Sequence, residues 1–314
     1  MRHLRSKFFT LYIFLLNPKV KSKYRWFLRF YYISKWVQYK YVVKDYLLKK
    51  RYKEIEFNGE FQQELINVIP FAYWHYKNGT LKRTISSRLT KSLYYFSNDH
   101  LEKYENRNWE SNINIDIPNS PHNIKLNKSK WIPPPYKEVF KNDFFSYGKP
   151  ILIIANRYNT EWGSKEPISF LSISTIEWII DKLQNKYQII YNRPYQQHII
   201  DDNSKILDLD DINLINKKYP EVEILTQLFE KQSKVKVYNE FQLRAYANTN
   251  HFISVHGGTA TLASYFGGVN TIFSKKGLEH EINEFTNVFP QLSGAKILHA
   301  KTDKELKTFI TENY

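Results

Sequence analysis

The stretch HFISVHGGTATLASYFGG, residues 251 to 268, decides the fold. It predicts a buried strand over residues 251 to 255, a His-Gly-Gly turn, and a helix over residues 259 to 266. Ligands of open α/β sheets bind at the carboxyl ends of the strands, where this turn lies. Paired glycines let a ligand approach the backbone, and the first helical turn offers N–H groups to an anion such as a diphosphate. The candidate anion-binding residues are His256, Gly257, Gly258 and Thr259.

Apolar strands and amphipathic helices alternate around this turn. Strands are predicted at residues 150–155, 187–191, 235–238, 251–255, 270–273 and 296–299. Helices are predicted at residues 173–186, 210–218, 240–248, 259–266 and 303–312. Such alternation predicts a parallel sheet covered by helices on both faces, which right-handed crossovers make doubly wound.

Two polar segments follow neighbouring strands of this predicted sheet. The first supplies candidate ligand-binding side chains at Asn156, Arg157, Tyr158, Asn159 and Glu161. The second supplies Arg193, because a guanidinium just past a strand can hold a phosphate through two hydrogen bonds. For these two segments and for the Gly-Gly turn, the alternative is a purely structural loop.

The chain before residue 146 is predicted to form a smaller α/β unit, preceded by a distinct N-terminal segment. Residues 92 to 97 (SLYYFS) predict a strand, and residues 98 to 100 predict the start of a helix. Three prolines within residues 131 to 136 hold an extended conformation and predict a linker. We therefore predict a segment at residues 1–53, an α/β domain at 54–145 that includes this linker, and a Rossmann-like domain at 146–314.

Basic charge is concentrated in the first 53 residues. They hold 15 Lys and Arg against one acid, Asp45, whereas the whole chain of 314 residues has a formal net charge of +15. The body is thus nearly neutral, which argues against a nucleic-acid-binding protein. The segment also carries 15 of the 52 aromatic residues.

Basic helices with an aromatic face can lie at a membrane interface, where Lys and Arg meet anionic lipid. The apolar run at residues 8 to 16 has nine residues, too few to cross a bilayer, and no signal-peptide cleavage site follows it. We therefore expect peripheral attachment to the inner face of the membrane of a cytoplasmic protein. The alternative is that these helices pack on the protein's own core and that their charges face solvent.

Several of these sections together resemble a known family. Residues 252 to 268 resemble the donor-site loop of GT-B glycosyltransferases, and residues 150 to 312 are similar to the C-terminal half of that fold. The sections PFAYWHYKNG, residues 70 to 79, and LYYFSNDH, residues 93 to 100, resemble transferases of bacterial and large-virus surface-glycan loci. The resemblance implies two Rossmann-like domains, preceded here by the basic aromatic helices.

The resemblance also implies a division of labour. A nucleotide-sugar donor would bind the C-terminal domain, at the candidate residues above, and a glycan or lipid-linked acceptor would bind the N-terminal one. An inverting transferase needs a general base on the acceptor hydroxyl. The candidates are Asp99 and His100, just past the strand predicted at residues 92 to 97, with His75 a weaker option. The backbone of the Gly-Gly turn and Arg193 would stabilise the leaving diphosphate, with no cofactor or metal required.

Metal chemistry has one possible motif. Residues 208 to 211 contain an Asp-x-Asp spacing, which some sugar transferases use for a metal ion that bridges a nucleotide diphosphate. It stands where a helix should begin, so that Asp210 or Asp211 is more simply an N-cap. The absence of cysteine excludes disulfides, zinc ribbons and cysteine nucleophiles.

Two other functions remain open from the sequence. One is a different transferase of the same architecture, such as a polysaccharide pyruvyltransferase or a polyol-phosphate transferase. The other is a non-catalytic glycan- or nucleotide-binding protein tethered to a membrane. The interpretation that we carry forward is a glycosyltransferase of surface polysaccharide or lipopolysaccharide synthesis.

Overall fold

The computed structural model describes residues 2–21, 25–108, 116–119, 125–160, 164–195, 198 and 205–314, without the side chains of residues 2–6, 26 and 27. Two helices, α1 (Arg2–Leu16) and α2 (Arg25–Tyr39), precede a π-helical turn at Val43–Leu48. None of the helices described is long and apolar enough to cross a membrane.

The first sheet contains three parallel strands in the order β1-β2-β3. They are β1 (Lys53–Glu56), β2 (Leu81–Ser87) and β3 (His100–Tyr104). The crossover between β1 and β2 is one helical segment, made of α3 (Phe61–Gln63), a π-helical turn (Glu64–Val68) and α4 (Ile69–Lys77). A short helix, α5 (Tyr136–Phe140), follows the prolines and leads to the second sheet.

The second sheet contains six parallel strands in the order β6-β5-β4-β7-β8-β9. They are β4 (Ile151–Ala155), β5 (Gln188–Asn192), β6 (Glu223–Ile224), β7 (His251–Val255), β8 (Val269–Phe273) and β9 (Lys296–Ala300). This is the order of dinucleotide-binding folds, and its direction reverses between β4 and β7. The predicted doubly wound sheet is therefore confirmed.

Nine helices are described around this sheet. They are α6 (Ile173–Leu183), α7 (Asp211–Lys218), α8 (Leu225–Lys231), α9 (Tyr238–Tyr246), α10 (Gly258–Ala263), α11 (Leu278–Glu281), α12 (Glu284–Asn287), α13 (Pro290–Ser293) and α14 (Asp303–Asn313). A 3₁₀ turn, Ser264–Phe266, extends α10.

The central strand β4 divides the core into two layers, because successive side chains of a strand point to opposite faces. Leu152 and Ile154 pack with apolar residues of α6, α7 and α14. Ile151 and Ile153 belong to the other layer, which includes residues of α9 and α10. That layer continues into α4 and the first sheet's surroundings, so that the two halves of the chain share one apolar cluster.

The linker is fastened to both halves. The Trp131 indole donates to the carbonyl of Ile66 at 2.7 Å, and Tyr136 is fully buried. The Lys137 ammonium donates to the carbonyls of Thr249 at 3.2 Å and Phe266 at 2.9 Å, at the amino edge of the second sheet. The domain boundaries at residues 54 and 146 stay predictions.

Two predicted strands are wrong. Residues 92 to 97 form turns, with the amide of Leu93 bonded to the carbonyl of Thr90 at 2.8 Å. These apolar side chains are buried without joining a ladder, and the strand β3 begins at His100, where a helix was expected. Residues 235 to 237 also form no strand, because the Gln232 side chain bonds both backbone groups of Val235, each at 2.8 Å.

The N-terminal segment packs on the body in part, and its contact with a membrane stays a prediction. Leu28 and Ile13 are buried, and Gln38 donates to the carbonyl of Asp116 at 2.6 Å. Asp45, fully buried in the π-helical turn, forms an ion pair with Lys130 at 2.5 Å. Yet thirteen of the eighteen exposed large apolar side chains among the described residues lie between residues 8 and 48. The segment packs on the body and still leaves a wide apolar surface in solvent.

Candidate active site at the carboxyl edges of the two sheets

The Gly-Gly turn lies at the carboxyl end of β7, beside the point where the strand order reverses. Gly257 has a φ of +95°, a conformation that side chains with a Cβ rarely adopt. Its carbonyl accepts hydrogen bonds from both the amide of Thr261 at 3.1 Å and the hydroxyl of that residue at 3.0 Å. Thr259, in the first turn of α10, is half-buried.

Two side chains lie against this turn. A Cβ at Gly257 would lie 2.5 Å from an Arg157 guanidinium nitrogen, which also donates to the carbonyl of His256 at 3.2 Å. A Cβ at Gly258 would lie 2.4 Å from the ring of Phe61 in α3. The two glycines thus permit close approach of a cation from β4 and of an aromatic ring from the first half.

His256 belongs to a small cluster of polar side chains. Its Nδ1 lies 2.9 Å from the Ser274 hydroxyl, which lies 2.7 Å from Nε2 of His280. Burial, reinforced by the neighbouring His299, lowers the pKa of His280 to about 4. Burial also lowers the pKa of His299. We therefore expect both of these imidazoles to be neutral at pH 7.

The segment after β4 contains residues with different roles. Asn156 is fully buried, and its side chain bonds both backbone groups of Leu171 and the hydroxyl of Tyr191. Asn159 forms an antiparallel bridge with Ile206. The half-buried Tyr158 packs its ring edge-on against Phe170, with ring centroids 4.8 Å apart. Glu161 lies outside the described residues. Arg157 is the member of this set that the structure brings to the Gly-Gly turn.

Arg193 has a carboxylate partner inside the protein. Its guanidinium bonds Asp211 at 2.6 and 2.8 Å, and both side chains are buried. It also donates to the carbonyl of Leu207 at 3.3 Å, which connects the end of β5 to the segment before α7. A phosphate would have to compete with Asp211 for this guanidinium, so the phosphate-binding role of Arg193 stays a prediction. Asp211 directly follows the Asp-x-Asp motif, and Asp208 of that motif also lies 3.3 Å from the Arg193 guanidinium.

Asp99 and His100 lie at the amino end of β3, not past the end of a strand. The positional argument for a catalytic pair is therefore wrong, because carboxyl ends of strands face ligands. Asp99 forms an exposed ion pair with Arg83 at 2.7 Å. The His100 imidazole bonds the hydroxyls of Thr84 at 2.8 Å and Thr90 at 3.2 Å, and burial lowers its pKa. The catalytic role of the pair stays a prediction without positional support.

His75, the weaker candidate, lies in the last turn of α4. It is buried, with Nδ1 2.7 Å from the Thr80 hydroxyl. Burial, with smaller contributions from Lys53 and Lys130, lowers its pKa to about 2. These surroundings give His75 a structural role as a neutral hydrogen-bonding group.

Sequence reasoning missed a cluster at the carboxyl edge of the first sheet. Glu64 is fully buried and forms an ion pair with Arg107 at 2.6 Å. Arg107 also donates to the carbonyl of Gly59 at 2.9 Å and lies over the ring of Phe61, 5.0 Å from its centroid. The signal was present, since the segment NGEFQQEL follows β1 as the Gly-Gly turn follows β7.

Contacts between the two halves are not limited to Phe61. The Gln62 amide donates to the Glu279 carboxylate at 3.4 Å, with both residues buried. The Tyr265 hydroxyl donates to the carbonyl of Leu65 at 2.5 Å. The segment after β1 and the turn after β7 are therefore in direct contact.

Two parallel α/β sheets whose carboxyl edges face each other are typical of the GT-B fold. The structure of E. coli ADP-heptose lps heptosyltransferase II is similar to this chain, with a TM-score of 0.50, 9% identity, and coverage of 82% of this chain and 98% of that one. At this identity the likeness shows the fold alone. No family model and no curated protein matches the chain.

Proposed function

We propose that this protein is a GT-B glycosyltransferase that moves a sugar from a nucleotide-sugar donor to a glycan or lipid-linked acceptor. The observation that carries the proposal is the Gly257–Gly258 turn, placed at the reversal of strand order with Arg157 across it. Open α/β sheets bind nucleotides at this position. A solved structure of similar fold is that of an ADP-heptose lps heptosyltransferase.

The donor diphosphate would lie against the backbone of residues 256 to 259. The Arg157 guanidinium lies against Gly257 and brings a positive charge to this turn, while the Phe61 ring lies against Gly258. A guanidinium fixed in advance stabilises the charge that develops on a departing diphosphate. This arrangement supports departure of the nucleoside diphosphate without a metal ion.

The acceptor would approach from the first half of the chain, and this half also carries the apolar N-terminal segment. Phe8, Leu15, Trp36 and Leu47 are each at least two-thirds exposed there. The segment holds nearly all of the net positive charge of the chain. Apolar exposure combined with basic charge supports attachment to an anionic membrane surface. Surface polysaccharide or lipopolysaccharide synthesis would place the acceptor at such a membrane.

Calorimetry with the full chain tests the donor site. UDP, GDP, CDP and ADP are titrated first, followed by the sugar derivatives of whichever nucleotide binds. Arg157→Ala should weaken that affinity by about 10- to 150-fold, the equivalent of a lost charge-assisted hydrogen bond of about 1.5–3 kcal/mol. Arg244→Ala is the control, because Arg244 lies in the same half and pairs with Glu240 on the surface of α9. Failure of every nucleotide to bind the folded wild-type protein would refute the proposal.

A further inference from the structure

Each glycine of the Gly-Gly turn is covered by a side chain from elsewhere in the chain. The Arg157 guanidinium lies against Gly257, and the ring of Phe61 lies so close to Gly258 that a Cβ at that position would overlap it. Phe61 belongs to α3, in the first half of the chain. The ring thus fills the space that the missing side chain of Gly258 leaves beside the backbone.

The two covering groups offer an anion different things. A guanidinium donates hydrogen bonds to phosphate oxygens, and it keeps its charge at every pH that the protein meets. A phenyl ring has no donor, so that phosphate oxygens pressed against it lose water and gain no hydrogen bond in return. A diphosphate that binds to the backbone of this turn therefore gains from Arg157 and is opposed by Phe61.

The ring of Phe61 is held in place from the first half of the chain. The Arg107 guanidinium lies over it, 5.0 Å from the ring centroid. The same guanidinium donates to the carbonyl of Gly59 at 2.9 Å and forms a buried ion pair with Glu64 at 2.6 Å. Arg107 thus binds the backbone before the ring and the side chain of the residue one helical turn after it.

The residues that follow Phe61 hold the same segment against the second half. The Gln62 amide donates to the buried Glu279 carboxylate at 3.4 Å. The carbonyl of Leu65 accepts a hydrogen bond from the Tyr265 hydroxyl at 2.5 Å. The position of the Phe61 ring against the turn is therefore fixed by contacts on both sides of it.

We propose that Phe61 is an autoinhibitory side chain that closes the donor site, an inference that rests on the proposed function. With its ring against Gly258, the turn is closed to the diphosphate of the nucleotide-sugar. The donor binds the fraction of molecules in which the ring has moved away, so that the measured affinity is the intrinsic affinity multiplied by that fraction. Removal of the ring should therefore tighten nucleotide binding.

Calorimetry with UDP, GDP, CDP and ADP on the full chain tests this closure. Phe61→Ala should bind the nucleotide that the wild type prefers about 10-fold more tightly or better, the gain expected when the open form makes up about 10% or less of the molecules. Phe61→Leu keeps a bulky apolar side chain and should give a smaller gain. It also carries the test if Phe61→Ala fails to fold, which circular dichroism checks.

The matched control is a second phenylalanine of the same segment. Phe57 is half-buried and follows β1, and its amide donates to the carbonyl of Ile85 in β2 at 2.9 Å. Phe57→Ala should leave the affinity for nucleotide within about twofold of wild type, because it leaves the open fraction as it is.

Binding kinetics separate a blocking side chain from a structural one. In the wild type, the observed rate of binding in stopped flow should level off as the nucleotide concentration rises, because opening precedes binding. In Phe61→Ala, it should rise in proportion to the concentration. Equal or weaker affinity in the folded Phe61 variants would overturn the inference and leave the transferase intact. A wild-type protein that binds no nucleotide would overturn the proposed function and this inference with it.

Discussion

The carboxyl edges of the two sheets contain the same kind of buried ion pair, but the arginine of each pair makes different further contacts. Each holds a fully buried carboxylate paired with a buried arginine, Glu64 with Arg107 in the first and Asp211 with Arg193 in the second, with 2.6 Å between the paired atoms in each. Each carboxylate also accepts a hydrogen bond from a buried tyrosine hydroxyl. A buried pair of this kind fixes loop geometry, since breaking it leaves an uncompensated charge.

The difference lies in what each arginine holds. Arg193 donates to the carbonyl of Leu207. Arg107 donates to the carbonyl of Gly59 and lies over the ring of Phe61, which lies against Gly258. At the contact between the two sheets, the second sheet therefore contributes the Gly-Gly turn and Arg157, whereas the first contributes a loop that Arg107 holds in place.

The largest expected effect comes from breaking the pair of the first sheet. Arg107→Ala leaves Glu64 charged and buried, so that the free energy of unfolding should fall by about 3–5 kcal/mol. Urea unfolding followed by circular dichroism measures this loss. Arg83→Ala is the control, because it breaks only the exposed pair with Asp99 and should cost about 1 kcal/mol or less. A loss below about 1 kcal/mol for Arg107→Ala would mean that the first edge is not braced by this pair.

A smaller effect is expected where the two edges touch. Gly258→Ala places a Cβ against Phe61, and such overpacking should destabilise the protein by about 1–3 kcal/mol. Phe61→Ala in the same chain should relieve the strain, giving a coupling energy of about 0.5–3 kcal/mol in a double-mutant cycle. Gly148→Ala, at a site with open space, is the control. Additive effects of the two substitutions would show that the edges do not meet in solution.

The smallest effect is expected at the exposed apolar surface of the N-terminal segment. Leu47, in the π-helical turn, is 75% exposed. Leu47→Asp should weaken binding to phosphatidylserine vesicles by about 10- to 100-fold, the worth of burying one leucine side chain. Val139→Asp, on an exposed position outside the segment, should leave binding unchanged. Flotation at low and high salt measures both, and equal behaviour of the two variants would argue against attachment through this segment.

The sequence predicted five of the six strands of the second sheet, because these are largely apolar runs, and it missed the two-residue strand β6. β4 is buried at all five positions and β7 at four of five, so that both strands appear in the sequence as hydrophobic runs. β3 reads HLEKY, with no residue fully buried, and it followed a buried apolar run that is not a strand. The polar sequence of β3 does not mark it as an edge strand. The prediction therefore placed a strand at residues 92 to 97 instead.

The site was predictable in the same unequal way. Gly257 and Gly258 could be recognised from the sequence, because they are adjacent and a turn is a local structure. The pair of Glu64 and Arg107 joins residues 43 positions apart, and no spacing rule connects them. Arg193 was recognised as important, yet its partner Asp211 was assigned to a helix cap. Long-range ion pairs become visible only when the strands are ordered in space.

The hydrogen bonds of Lys137 lie far from the contact between the Gly-Gly turn and Phe61. Lys137 is bonded at the amino edge of the second sheet, at the far end of the strands from the Gly-Gly turn. A five-residue strand is about 17 Å long. A rotation of about 10° about the amino end of such a strand would displace its carboxyl end by about 3 Å, roughly the width of a water molecule. Displacements of this size are typical of hinge motions. Such a swing would separate Phe61 from Gly258 while the hydrogen bonds of Lys137 stay in place.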